Sequence, residues 1–162
     1  MFTSVAIIGR PNVGKSSLFN KLTKSRDAIV SDFPGLTKDR NYGFLNLDDN
    51  KILIIDTGGI VNESDNLKEA ISNQAWSAVE ESSFIILMLD SSENLTKDDL
   101  DILHKLRKLN KDYVIVLNKV DKKTDSLIKN DLQKEGIHSA IEISAEHSKN
   151  LSSLKSCIKE RA

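Results

Sequence analysis

The amino-acid sequence predicts an α/β fold: a six-stranded, mostly parallel sheet with one antiparallel strand and helices on both faces. Three observations lead there. Short apolar runs alternate with segments whose apolar residues recur at helical spacing. One pair of runs is separated only by Asp48-Asp49-Asn50, a turn signal, and so forms a hairpin. Elsewhere strands and helices alternate, and right-handed crossovers then give parallel pairing with helices above and below the sheet.

The elements follow in order. Ser4–Ile8 is a short β-branched run closed by Gly9, and reads as a buried strand. The glycine-bounded loop from Gly9 to Ser16 comes next. Leu18, Phe19 and Leu22 then mark a helix from Ser16 to about Thr23. Lys24 to Arg40 is polar and irregular. Tyr42–Leu47 and Lys51–Ile55 are the two arms of the hairpin, which ends at Asp56-Thr57-Gly58-Gly59. Ala70, Ile71, Ala75, Ala78 and Val79 lie on one side of a helix over about 67–81. Phe84–Leu89 is continuously apolar, as a strand buried on both faces should be. Leu100, Leu103, Leu106 and Leu109 mark another helix, Tyr113–Leu117 another strand, and Leu127, Ile128 and Leu132 a further helix. Ala140–Ile143 is the last strand and Leu151–Ile158 the last helix, with Cys157 read as a small buried apolar residue. Residues 1–162 thus form a single domain.

A length of 162 residues suffices for one full hydrophobic core. The formal net charge of −1 supplies no bulk attraction to nucleic acid or to an anionic membrane. Neither direct DNA binding nor membrane association is expected. The single cysteine excludes an internal disulfide and a multi-cysteine zinc site. No segment approaches about 18 consecutive apolar residues, and the chain enters a strand without a signal-peptide pattern, so a cytoplasmic location is expected.

Gly9-Arg10-Pro11-Asn12-Val13-Gly14-Lys15-Ser16 matches G-x-x-x-x-G-K-[ST] in full and lies between a strand and a helix. The glycines let backbone N–H groups close on a β-phosphate, and the helix N-terminus adds partial positive charge. Lys15 is expected to reach the β- and γ-phosphates, and Ser16 to offer its hydroxyl to Mg²⁺. Ser17, next in the chain, completes the nucleotide-contacting residues of this loop. The motif specifies a nucleoside triphosphate and leaves the base open.

The base is chosen by Asn118-Lys119-Val120-Asp121, directly after a strand, where ligands of such sheets bind. The carboxylate of Asp121 can accept from both N1–H and the exocyclic amine of guanine. Adenine has no proton at N1, so it would leave that carboxylate facing another acceptor. Asn118 is expected to bond to neighbouring loop groups and the base, and Lys119 to lay its stem along the sugar and base. In Ser144-Ala145-Glu146 a backbone N–H can donate to guanine O6, although a helix-capping serine fits the triplet as well. Asp56 closes an apolar strand and can hold Mg²⁺ through water, while a glycine N–H of Thr57-Gly58-Gly59 can touch the γ-phosphate. Thr37, within Asp32-Phe33-Pro34-Gly35-Leu36-Thr37, can complete the Mg²⁺ shell when a γ-phosphate is present, so its loop is expected to order with GTP and release with GDP.

With these motifs in this order, the chain resembles a P-loop NTPase G domain, and more closely the first G domain of the Der (EngA) family of ribosome-assembly GTPases, of the TrmE-Era-EngA type. Three stretches carry the resemblance: Gly9 to Ser16; Arg26-Asp27-Ala28 through Asp32 to Arg40 and on to Tyr42-Gly43; and Asp56-Thr57-Gly58-Gly59-Ile60. The resemblance implies two tandem G domains and a KH-like domain, of which this chain covers the first. It further implies binding of the large ribosomal subunit, mainly through domains outside this chain, and places Lys38, Asp39 and Arg40 at a docking or switch surface.

Many G domains carry a water-orienting glutamine where this chain has Ile60, so slow intrinsic hydrolysis is expected. In related GTPases an asparagine at the place of Asn12 accompanies a bound K⁺ that stands in for an arginine finger. Asn12 and backbone carbonyls before Thr37 are therefore expected to hold K⁺. Lys15, Thr37 and Asn12 are the expected catalytic residues. The rival reading is a nucleotide-dependent binding module with negligible hydrolysis of its own; an ATPase of the same fold is disfavoured by Asn118 and Asp121. His104, His138 and His147 are read as solvated or packing residues, Trp76 as partly buried packing, and Lys122 and Lys123 as surface.

Overall fold

The computed structural model describes residues 3–23, 41–59, 71, 73–122 and 126–161. Along the chain run β1 (Thr3–Ile8), α1 (Lys15–Leu22), β2 (Asn41–Leu47), β3 (Asn50–Asp56), a 3₁₀ turn (Thr57–Gly59), α2 (Asn73–Glu81), β4 (Phe84–Asp90), α3 (Lys97–Lys108), β5 (Tyr113–Asn118), α4 (Ile128–Lys134), β6 (Ile141–Glu142) and α5 (Leu151–Arg161). The elements are those the sequence predicts, with shifted ends. The helix expected over 67–81 is described from Asn73, and the last strand shortens to two residues. Ile143 leaves the strand yet stays fully buried, its amide bonded to Leu117 O and its carbonyl accepting from Val120 N–H.

The strand order is β2-β3-β1-β4-β5-β6. β2 and β3 pair antiparallel, and every other pair is parallel. Central β1 has β3 on one side and β4 on the other, so the chain reverses its direction of travel across the sheet at β1. A crevice opens at such a switch point, at the carboxyl ends of the strands. Register sets what lines it: Ile7 pairs with Asp56, and Asp90 with Asn118.

Side chains alternate between two cores, as the period of two requires. Ala6, Ile8, Ile55, Ile85, Leu87 and Leu117 face α2, α3 and α4. Val5, Ile7, Ile54, Ile86, Met88 and Val116 face α1 and α5. Burial on both faces explains the unbroken apolar run of β4, all seven residues of which are buried.

One reading needs correction. Cys157 is only half-buried, because α5 turns Leu154 and Ile158 inward at i, i+4 spacing and leaves position 157 at the margin. In α3 the inward face comprises Asp99, Ile102, Leu103 and Leu106; Leu100 and Leu109 lie at its edge. Trp76 is partly buried as expected, with the Lys105 ammonium 4.4 Å from its ring centre. Among the described residues, no helix is long and apolar enough to cross a membrane.

Candidate functional site

The loop after β1 carries Arg10 to Gly14 and opens α1 through Gly14, whose φ of 107° suits glycine. Val13 anchors the loop by burying its side chain among Leu18 and Met88, whereas Pro11, Asn12, Ser16 and Ser17 remain exposed. Lys15 folds back over the loop. Its ammonium donates to Gly9 O and Arg10 O, both at 2.6 Å. Burial pushes its pKa down to about 8, against the opposing pull of Asp56, and Arg10 adds to the fall. A partly dehydrated cation ringed by carbonyls is a receptor for an anion: phosphate oxygens satisfy it better than neutral carbonyls can.

Asp56 ends β3 beside the start of α1. Ser16 Oγ donates to its Oδ2 at 3.1 Å, and Gly58 N–H donates to its Oδ1 at 2.9 Å. One carboxylate and one hydroxyl thus converge, and all-oxygen donors of this kind suit Mg²⁺, which keeps several waters. Thr57 turns away, its hydroxyl donating to Ile7 O at 2.6 Å, and so fixes the turn rather than facing the crevice. Of the two glycine amides in Thr57-Gly58-Gly59, one of which is expected to touch a γ-phosphate, that of Gly58 is held by Asp56. Thr37 and Ile60, with Lys38, Asp39, Arg40 and Lys123, lie outside the described residues.

Asn118 ends β5 and joins three loops. Its Nδ2 donates to Val13 O at 2.8 Å, and its Oδ1 accepts from Ala145 N–H at 2.9 Å. Of the Ser144-Ala145-Glu146 amides, one of which is expected to reach guanine O6, that of Ala145 is therefore given to Asn118. Lys119 holds φ 67°, and Asn12 in the phosphate loop φ 71°, both in the left-handed region. Such conformations persist only where surroundings enforce them, and here the two residues are tied together: Lys119 Nζ donates to Asn12 O at 2.8 Å. The same ammonium pairs with Asp90 Oδ2 at 3.0 Å. Burial alone would raise the Asp90 pKa; hydrogen bonds from Ser92 and Lys119 overcome it and hold the carboxyl below the ordinary range.

Asp121 faces the loop after β6. Its carboxyl pKa is lowered chiefly by a hydrogen bond with the Ser144 side chain, against some desolvation; its own amide, His147 and Lys149 add to the lowering. Ser144 forms a bridge with Lys149 and its hydroxyl oxygen accepts from His147 N–H at 3.3 Å; α5 begins only at Leu151, so Ser144 does not cap that helix. Val120 extends the loop, its N–H bonded to Ile143 O. His104 is exposed beside Glu135, and His138 is exposed.

Three residues here escape inspection of the sequence. Asp90 closes an apolar strand as Asp56 does, and that parallel was the available signal. Asp99 is buried in α3, where it completes a capping box with Thr96 and also accepts from Arg10 Nε at 2.8 Å. Arg10 bonds to Glu93 as well, so the phosphate loop is braced against α3; these bonds outweigh burial and hold the Arg10 pKa above its usual value. His147 lies 3.2 Å from Asp121 Oδ2.

The family model described as "50S ribosome-binding GTPase" matches residues 4–119. GTPase Der of Stenotrophomonas maltophilia (strain K279a) is 41% identical over 155 residues, covering 95% of this chain and 33% of that protein. The chain thus spans about a third of the length of this relative. Among solved structures, Aquifex aeolicus Era bound to GDP and AlF₄⁻ superposes with a TM-score of 0.76 at 31% identity, covering 98% of this chain and 56% of that one. An Era in complex with MgGDPNP and a segment of 16S ribosomal RNA also gives 0.76, at 32% identity, covering 99% and 56%.

Proposed function

We propose that this chain, which belongs to the family of 50S ribosome-binding GTPases, binds GTP and GDP with Mg²⁺ and hydrolyses GTP to GDP and phosphate. One observation carries the reading. Asn118 fastens the base loop to the phosphate loop through Val13 O, so triphosphate and base determinants form one site.

Lys15 leaves its carbonyl ring for the β- and γ-phosphates. Ser16 and Asp56 hold Mg²⁺, which when bound neutralises charge on the transferred phosphoryl group. Asp121 accepts from the guanine edge, Lys119 covers the base, and Arg10, Val13 and Gly14 shape the loop. Thr37 completes the Mg²⁺ shell when a γ-phosphate is present. Asn12 takes part in K⁺ binding, in place of an arginine finger, and so compensates for the aliphatic Ile60. GTP turnover compared in KCl and NaCl at equal ionic strength tests this; equal rates would remove K⁺ from the mechanism.

At the level of the whole protein we propose a cytoplasmic switch in assembly of the large ribosomal subunit, touching the ribosome mainly through further domains. Ile60 keeps a second reading in view, a nucleotide-dependent binding module with negligible hydrolysis alone. Single-turnover hydrolysis with and without ribosomal subunits separates the two. Tight ATP binding against which GTP cannot compete would sink both.

A further inference from the structure

We propose that Asp99 is a positioning residue for nucleotide binding: from the first turn of α3 it fixes the leading half of the phosphate loop through the side chain of Arg10. The inference rests on the reading of that loop as the diphosphate receptor and deepens it. Two sets of bonds hold the loop. Its trailing half is fastened by the base loop, with Asn118 Nδ2 donating to Val13 O and Lys119 Nζ to Asn12 O, both at 2.8 Å. Its leading half is fastened by Lys15, on Gly9 O and Arg10 O, and by the Arg10 side chain. Lys15 is the group that turns to phosphate, so nucleotide binding releases its hold on the two carbonyls. The Arg10 side chain then carries the leading half.

The far end of that anchor is set in the core. Arg10 Nε donates to Asp99 Oδ1 and Arg10 Nη2 to Glu93 Oε2, each at 2.8 Å. The Asp99 side chain is 1% exposed and that of Glu93 52%, so solvent screens the Glu93 branch far more. The second oxygen of Asp99, Oδ2, accepts from Thr96 N–H at 3.0 Å, and Asp99 N–H donates to Thr96 Oγ1 at 3.1 Å. Ile102, Leu103 and Leu106 bury the same helix against the sheet. One carboxylate therefore has one oxygen on the helix cap and the other on the phosphate loop. A buried carboxylate that loses its cation is costly, so the joint resists opening.

The two bonds give Asp99 two separable roles. The bond to Thr96 serves the fold whether or not Arg10 is present. The bond to Arg10 serves the loop, and its effect passes to the nucleotide only through that side chain.

The test is a double-mutant cycle of R10A and D99A. Dissociation constants for GDP and IDP are measured by calorimetric titration of the Mg²⁺-containing protein, and Tm is measured without nucleotide. Each single variant should bind GDP more weakly by roughly two- to thirty-fold. The double variant should be no worse than the weaker-binding of the two. IDP should weaken by the same factor as GDP, because the loop meets only the diphosphate they share. D99A should lower Tm in either background, since the bond to Thr96 N–H is lost in both. R10K, whose ammonium can still meet Asp99, should bind GDP better than R10A. D99N keeps an acceptor for the cap and loses the charge that holds Arg10, and it replaces D99A if that variant does not fold. A lowered Tm with unchanged GDP affinity would reduce Asp99 to a helix cap and overturn the proposal. Affinity losses that add in the double variant, or a loss confined to GDP, would overturn it too. If the unaltered protein binds neither nucleotide, it is the reading of the site itself that fails.

Discussion

The phosphate end and the base end of the crevice are built from different materials. Around Lys15 the contacts come from the main chain: Gly9 O, Arg10 O, the Gly58 amide on Asp56, and a glycine at the mouth of α1. At the base end they are made by side chains: Asn118 on Val13 O, Lys119 on Asp90, and Ser144 and His147 beside Asp121. Phosphate is common to every nucleotide, and backbone groups held by loop geometry are sufficient for it. A base is distinguished by the placement of a few donors and acceptors, which only chosen side chains can match. On the proposed function, one end supplies affinity and the other supplies choice.

The largest test of that division lies at the base end. In D121N the amide oxygen can still accept from N1–H, but the amide donor then faces the exocyclic amine, so two charge-assisted bonds worth roughly 1.5–3 kcal/mol each are lost. GDP affinity should fall by about 10²–10⁴-fold. Xanthine nucleotides, which carry a carbonyl in place of the amine, should gain. Retained GDP affinity in a competition assay would show that the base is read elsewhere.

At the phosphate end, K15M should lower the single-turnover rate by about 10²–10³-fold while preserving any preference among bases. Lys15 also sets a pH signature. Its pKa of about 8 lies below the free-lysine value, so it binds fewer protons than in the unfolded chain. A bound polyphosphate would restore its charge, and binding then takes up a proton once the pH exceeds about 8. Nucleotide affinity should therefore weaken above that pH, by at most about tenfold per unit, and K15M should lack the slope. Equal slopes in both proteins would argue against a buried, partly neutral Lys15.

The smallest effect is expected at the joint between the ends. D90A leaves Lys119 with Asn12 O alone, and GDP affinity should fall about fivefold, the upper range for a partly exposed pair. ADP, already excluded at Asp121, should show no parallel change. An unaltered Kd for GDP would mean that Asn12 suffices to hold Lys119.

Legibility in the sequence follows the same division. The phosphate loop, Asp56 and Asn118–Asp121 are contiguous strings whose spacing mirrors a local geometry, and alternation of strands and helices yields the sheet. Arg10 and Asp99 are 89 residues apart, and Asp90 and Lys119 are 29 apart. Such partners meet only through the β4–β5 register and the packing of α3, which no local pattern encodes. His147 looked like a solvated histidine because its partner belongs to another loop. Cys157 misled for a different reason: apolar spacing locates the centre of a helix face better than its edges.

Gly14 has a consequence for how this sequence can vary. A Cβ built there would lie 2.1 Å from Asn118 Nδ2, the atom that donates to Val13 O. The space is filled by another loop's side chain, so the glycine and the asparagine are a single interlocked unit 104 residues apart in the chain (118 − 14). Mutational tolerance at either position is conditional on the other: any side chain at 14 evicts the amide, and a bulkier residue at 118 has nowhere to go. In a library randomised at both positions, surviving pairs should be strongly non-additive. What reads along the chain as two separate words is, in three dimensions, one.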